Sequence, residues 1–117
     1  MNVRLGDAAE TLAAGFLVAR GLSIVERKFR CRGGEIDLIA RDGDTLVFVE
    51  VRLRSNSAFG GAKESITATK RARMKLAAGH YLARLTREPP CRFDAILLDT
   101  LDTAHVEWLL DIDCSAS

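Results

Sequence analysis

The sequence predicts an α/β fold with the element order α-β-β-β-α-β-β. Apolar residues recur at helical spacing in two segments, 6–20 and about 65–85. In five other segments they alternate with period two or run on as short apolar blocks. An Asp42–Gly43 dipeptide between two such segments adds a hairpin signal. At 117 residues the chain is sized for one domain, 1–117, able to bury a core without staples.

Each element follows from its residues. In 6–20, Ala9, Leu12, Ala13, Phe16 and Leu17 fall at i, i+3, i+4, i+7 and i+8, and Gly21 ends the helix. Glu10 stands at the border of that apolar stripe. "LSIVERKFR" (22–30) reads as a strand, and Gly33–Gly34 permits a turn. "EIDLIAR" (35–41) and "TLVFVEVRLR" (45–54) are two strands of a hairpin. "SNSAFGGAK" (55–63) is a loop. The long helix expected from about Ser65 to Leu85 carries the stripe Met74, Ala77, Ala78, Tyr81 and Leu85. Pro89–Pro90 forbid its continuation. "RFDAILLD" (92–99) and "HVEWLLDI" (105–112) complete the set.

Composition describes an ordinary globular protein, 48% hydrophobic and 28% charged. No apolar run approaches the ~20 residues of a membrane span. The N-terminal stretch is helical rather than signal-like, so the expected compartment is the cytoplasm. Cys31, Cys91 and Cys114 lack ligand spacing and stand apart from His80 and His105, which argues against structural zinc and a disulfide frame. The net charge of +1 hides an asymmetry: residues 1–93 carry +7 and residues 94–117 carry −6. Basic residues cluster at Arg27, Lys28, Arg30 and Arg32, at Arg52 and Arg54, and at Lys70, Arg71, Arg73 and Lys75. Such clusters suit a polyanion, and equally a solvated basic face.

The strand 45–54 is two-faced. Val47, Val49, Val51 and Leu53 take one side; Phe48, Glu50, Arg52 and Arg54 take the other. A two-residue turn at Asp42–Gly43 pairs Arg41 with Asp44 and sets Asp37 opposite Phe48. Asp37 and Glu50 then share a face as diagonal neighbours, ~7–8 Å apart at Cα, with Glu35 directly opposite Glu50. Carboxylates so gathered, on a sheet whose other side is apolar, repel unless a cation lies between them. Mg²⁺ takes one or two carboxylates and leaves sites for water and phosphate. The simpler alternative is a set of cross-strand ion pairs among Glu35, Glu50, Arg52 and Arg54. Extending the long helix's stripe backwards from Met74 reaches Lys70 and Thr67, so Lys70 either faces the sheet or snorkels outward.

"GEIDLIARDGDTLVFVEVRLRS" resembles the core of the restriction-endonuclease-like, PD-(D/E)xK nuclease superfamily. It is most similar to the YraN-like family of predicted endonucleases, itself similar to archaeal Holliday-junction resolvases. "GDAAETLAAGFLVARGL", "FGGAKESITATKRARMKLAAGHYLA" and "CRFDAILLD" resemble that family's other blocks, so the likeness spans nearly the whole chain. It implies a mixed central sheet of about five strands flanked by two helices. It also implies Mg²⁺ or Mn²⁺ held by Asp37, Glu50 and the Val51 carbonyl, with Glu10 as a helix-borne acid completing the site. Arg52 occupies the position of the superfamily's lysine. Arginine can clamp a phosphate but cannot act as a base, which makes Lys70 the candidate for a relocated lysine.

The resulting expectation is a metal-dependent endonuclease acting on structured DNA, with branched junctions among its substrates. A non-catalytic nucleic-acid-binding module on the same scaffold is the alternative that Arg52 favours. A third reading, a partner-binding domain, rests only on the acidic C-terminal segment. Junction-cutting relatives are dimers, which makes a homodimer the expectation to test.

Overall fold

A computed structural model describes residues 5–53, 66–99 and 106–112. Helix α1 (Leu5–Ala19) leads into three consecutive strands, β1 (Ser23–Cys31), β2 (Gly34–Asp42) and β3 (Thr45–Leu53). Helix α2 (Ala68–Leu82), β4 (Cys91–Leu98) and β5 (Val106–Leu109) complete the chain order. The expected loop 55–63, the start of the long helix at Ser65, Arg54, His105 and Cys114 lie outside the described residues. Cys31 and Cys91 are free thiols.

The strands form one sheet in the order β1-β2-β3-β4-β5. β1, β2 and β3 pair antiparallel, β3 and β4 pair parallel, and β5 returns antiparallel on β4. The sheet is therefore mixed. The parallel step needs a crossover, which α2 supplies.

Both faces are apolar, not one. Ala9, Ala13, Phe16 and Leu17 of α1 pack on Leu38, Ala40, Val47, Val49, Ile96 and Leu98. Ala77, Ala78 and Tyr81 of α2 pack on Phe29, Ile36, Ile39, Leu46 and Phe48. A strand lodged between two helices must be apolar on both sides, which explains why Leu46 to Val49 are all fully buried. β3 is the middle strand of five. Its polar second half marks one end of the sheet's centre, not an edge strand.

α2 is shorter than its periodicity suggests. Thr67 does not join the buried stripe; its Oγ1 accepts the Lys70 amide at 3.1 Å and caps the helix. At the other end the helix stops at Leu82, and Leu85 is exposed. Gly34 opens β2 beneath α2, and a methyl group there would overlap the carbonyl of Arg73. The helix sits this close to the sheet because position 34 has no side chain.

The β2–β3 turn is shifted by one residue from the expected place. Asp42 pairs with Thr45 and Arg41 with Leu46, so the turn residues are Gly43 and Asp44. Gly43 has φ 61°, a conformation glycine adopts without penalty. Phe48 therefore faces Ile39, not Asp37.

One acid of the C-terminal segment is not on a solvated face. Asp94 is fully buried and accepts hydrogen bonds from Arg92 Nε, Trp108 Nε1 and the Asp111 amide, at 2.8–3.2 Å. It ties β5 and the turn after it to β4.

Candidate active site

The regular ladder breaks on both sides of Asp37. Towards β3, the pairing proceeds from the turn to Leu38–Val49 and ends there. Continued by one residue, this register sets Asp37, not Glu35, against Glu50. Towards β1, Arg27 pairs with Leu38 and Phe29 with Ile36, which leaves Lys28 across from Asp37. Lys28 has φ 55°, the left-handed region that costs a side-chain-bearing residue free energy.

The alternation of faces breaks at the same point. Ile36 belongs to the α2-side core and Leu38, two residues on, to the α1-side core. Strict period-two alternation thus fails at Asp37, although the expected meeting with Glu50 takes place. The Asp37 carboxylate fills the gap where β2 leaves β3, and its Oδ2 accepts the Val51 amide at 2.8 Å. The Glu50 carboxyl stands close to it. Burial first, then the Glu50 charge, push its pKa from the ordinary 3.8 up to about 7. The Val51 amide and Lys70 oppose that shift.

Glu50 lies on the α2 face with only 3% of its side chain exposed. A carboxylate so desolvated needs a proton or a cation. Lys70 Nζ stands 2.7 Å from Glu50 Oε2. Because the Thr67 cap places Lys70 in the first turn of α2, its side chain reaches down over the end of β3. Of the two sequence alternatives for Lys70, the inward one holds. Glu35, Glu50, Lys70, Arg73 and Met74 line a small cleft at this point.

Glu35 is not a third ligand-like acid beside Glu50. It pairs across the hairpin with Arg30 at 3.6 Å and with Arg73 of α2 at 3.7 Å. Glu35 is thus ion-paired, though with Arg30 and Arg73 and not, among the described residues, with the expected Arg52. The consequence is that the basic clusters of β1 and α2 meet at Glu35, next to the cleft.

Arg52 follows Glu50 on the same face and is half-buried. Among the described residues it makes no ion pair. Val51 contributes its amide to Asp37; its side chain packs with the α1-side core. Glu10 approaches from α1, on the other side of the sheet. It is 8% exposed, and its Oε1 is buried with no hydrogen-bond partner among the described residues. Its pKa is raised by burial and then by the charge of Asp37. Among the described residues, no three His, Cys, Asp or Glu side chains gather as a ready metal cluster.

The donor set fits a hard cation held by two carboxylates. Asp37 and Glu50 bring oxygen ligands into contact, and Glu10 keeps an unpartnered buried oxygen near Asp37. Two positioning residues escape a reading of the sequence alone. The Thr67 cap is signalled by a threonine three residues ahead of Lys70. Asp94 is signalled by Arg92 and Asp94 standing two apart, on one face of an otherwise apolar strand.

Fold and site together define an α/β protein with a mixed five-stranded sheet, carrying a buried Glu50, a half-buried Asp37 and a lysine counter-ion where two central strands part. The chain belongs to the family described as Uncharacterised protein family UPF0102, whose model it matches over residues 9–98. It is 52% identical over 108 residues to a UPF0102 protein of Methylobacillus flagellatus, covering 92% of this chain and 95% of that one. It is 55% identical over 109 residues to a UPF0102 protein of Cupriavidus metallidurans, covering 92% and 79%. A UPF0102 protein of Hahella chejuensis is 51% identical over 112 residues, covering 94% and 90%.

Proposed function

We propose that the protein is a metal-dependent endonuclease of the restriction-endonuclease-like, PD-(D/E)xK type, hydrolysing phosphodiester bonds in structured DNA such as branched junctions. The observation that carries this reading is the contact between Asp37 and Glu50 at the divergence of β2 and β3. A buried Glu50 and a half-buried Asp37 sharing one spot are costly to a fold and serve no packing purpose.

In this reading Asp37 and Glu50 hold Mg²⁺ or Mn²⁺, with the Val51 carbonyl and Glu10 adding oxygen from the neighbouring strand and helix. The chemistry such an ion supplies is polarisation of a phosphoryl oxygen and a lowered pKa for a coordinated water. The chain's own residues do the rest. The Val51 amide fixes one Asp37 oxygen. Arg52, on the Glu50 face, offers a permanent charge to the scissile phosphate, and Lys70 a second one from α2. Arg30, Arg32, Arg73 and Lys75 extend the positive rim over which a polyanion would lie.

A non-catalytic nucleic-acid-binding module is favoured by one observation: Lys70 already neutralises Glu50, so the fold tolerates the acids without an ion. Labelled four-way junction, flap and linear duplex DNA, incubated with Mg²⁺, Mn²⁺ or chelator, separate the two. Cleavage that needs metal and is lost in Asp37→Ala and Glu50→Ala supports the enzyme. Salt-sensitive binding that ignores chelator, with no cleavage, supports the module.

A further inference from the structure

Lys70 invites a role beyond static charge balance. Glu50 is almost wholly buried, and Lys70 is the one cation paired with it among the described residues; Arg73 of the same cleft is engaged by Glu35. The groups around Glu50 differ in freedom. Asp37 is pinned by the Val51 amide, and β3 is locked between its neighbours. The Lys70 backbone is pinned by the Thr67 cap, but its side chain keeps a third of its surface exposed and ends a flexible four-carbon stem. Its ammonium can therefore leave Glu50 without any movement of α2. One buried carboxylate also has little use for two cations at once, since they repel across a short, poorly screened distance.

We infer that Lys70 is the resident counter-ion of the site: its ammonium holds Glu50 in place until a divalent cation takes over that carboxylate, and is then released into the cleft. The inference rests on the metal-dependent reading proposed for the site and adds a coupling to it. Arrival of the ion frees a positive charge beside the place where a phosphate would sit, so the charge needed for the substrate becomes available only once the ion is bound. Without an ion, the same lysine keeps the acid pair from pushing the strands apart.

Lysine-directed acetylation of the full chain, read by mass spectrometry with and without saturating Mg²⁺, tests this, with saturation established by calorimetry. Lys70 should label far more slowly than exposed Lys75 in the ion-free protein. With Mg²⁺ bound its rate should approach that of Lys75, which itself stays unchanged. Glu50→Gln should label fast at Lys70 without any ion. Lys70→Met should bind Mn²⁺ about tenfold more tightly than the parent. A saturated protein whose Lys70 stays protected overturns the inference and leaves the metal site standing. Failure of both the parent and Lys70→Met to bind Mg²⁺ or Mn²⁺ removes the metal site, and the inference with it.

Discussion

Asp37 Oδ2 accepts the backbone amide of Val51 at 2.8 Å, taking a β3 donor just beyond the point where the β2–β3 ladder ends. A side chain thus stands in for the strand, and the acid is fixed at the fork by the same bond that closes it. Both the partial burial of Asp37 and its approach to Glu50 depend on this replacement.

One consequence is a pH dependence of stability. Folding holds a proton on Asp37 up to about pH 7, whereas the unfolded chain releases it near 3.8. The folded state binds more protons across that window, so stability falls as pH rises from about 4 to 7 and then levels off. Glu10, also shifted upwards, adds a slope of the same sign. Asp37→Asn keeps an oxygen for the Val51 amide and has no proton to lose. Urea denaturation at several pH values should show a distinctly flatter profile for this variant, and greater stability than the parent at pH 8. An unchanged slope would mean that Asp37 titrates normally.

The close seat of α2 can be tested at its tightest point. Gly34→Ala sets a methyl group against the Arg73 carbonyl, which is backbone and cannot rotate aside. The helix must lift, at a cost of about 1–3 kcal/mol, and Lys70 lifts with it. Thermal unfolding should show the loss, and cleavage should fall further than stability alone explains. A variant as stable as the parent would contradict the packing described for α2.

Asp94 gives a purely structural prediction. Asp94→Ala strands Trp108 Nε1 and the Asp111 amide and takes one of two carboxylate partners from Arg92, which keeps Asp42, at a cost of about 2–4 kcal/mol. Chemical denaturation followed by the fluorescence of the only tryptophan would measure it. A loss below about 1 kcal/mol would mean that water replaces the carboxylate without difficulty.

Arg52 separates charge from base chemistry. If it neutralises the phosphate, Arg52→Ala should lower cleavage by about 10²-fold, and Arg52→Lys should retain most of it. A lysine variant more active than the parent would show that arginine handicaps the reaction.

The fold is largely legible in the sequence because its signals are local. Helical stripes and alternating strands follow from side-chain spacing, and the two faces of β3 follow from Val47 and Phe48 pointing opposite ways. What eludes the sequence depends on contacts between distant segments. The turn could sit at Asp42–Gly43 or Gly43–Asp44 with equal local chemistry, and that choice moves the register by two residues. The break in alternation at Asp37 comes from Lys28 and from the parting of β2 and β3, which no spacing within β2 reveals. Asp37 and Glu50 nonetheless meet as the sequence suggests, because the shifted register, continued by one residue, sets them directly across from each other where β2 leaves β3. Glu35 is misplaced by the same reading because the shifted register moves it off Glu50, and its partner Arg73 lies on a helix 38 positions away.

The central claim is that Asp37 and Glu50 share one divalent cation. A crystal soaked in Mn²⁺, with anomalous differences recorded, addresses this directly. The expected result is one peak bonded to both carboxylates, at about 2.0–2.3 Å from each, with the Lys70 ammonium withdrawn from Glu50. A map with no peak there, and Lys70 still on Glu50 at saturating Mn²⁺, would contradict it.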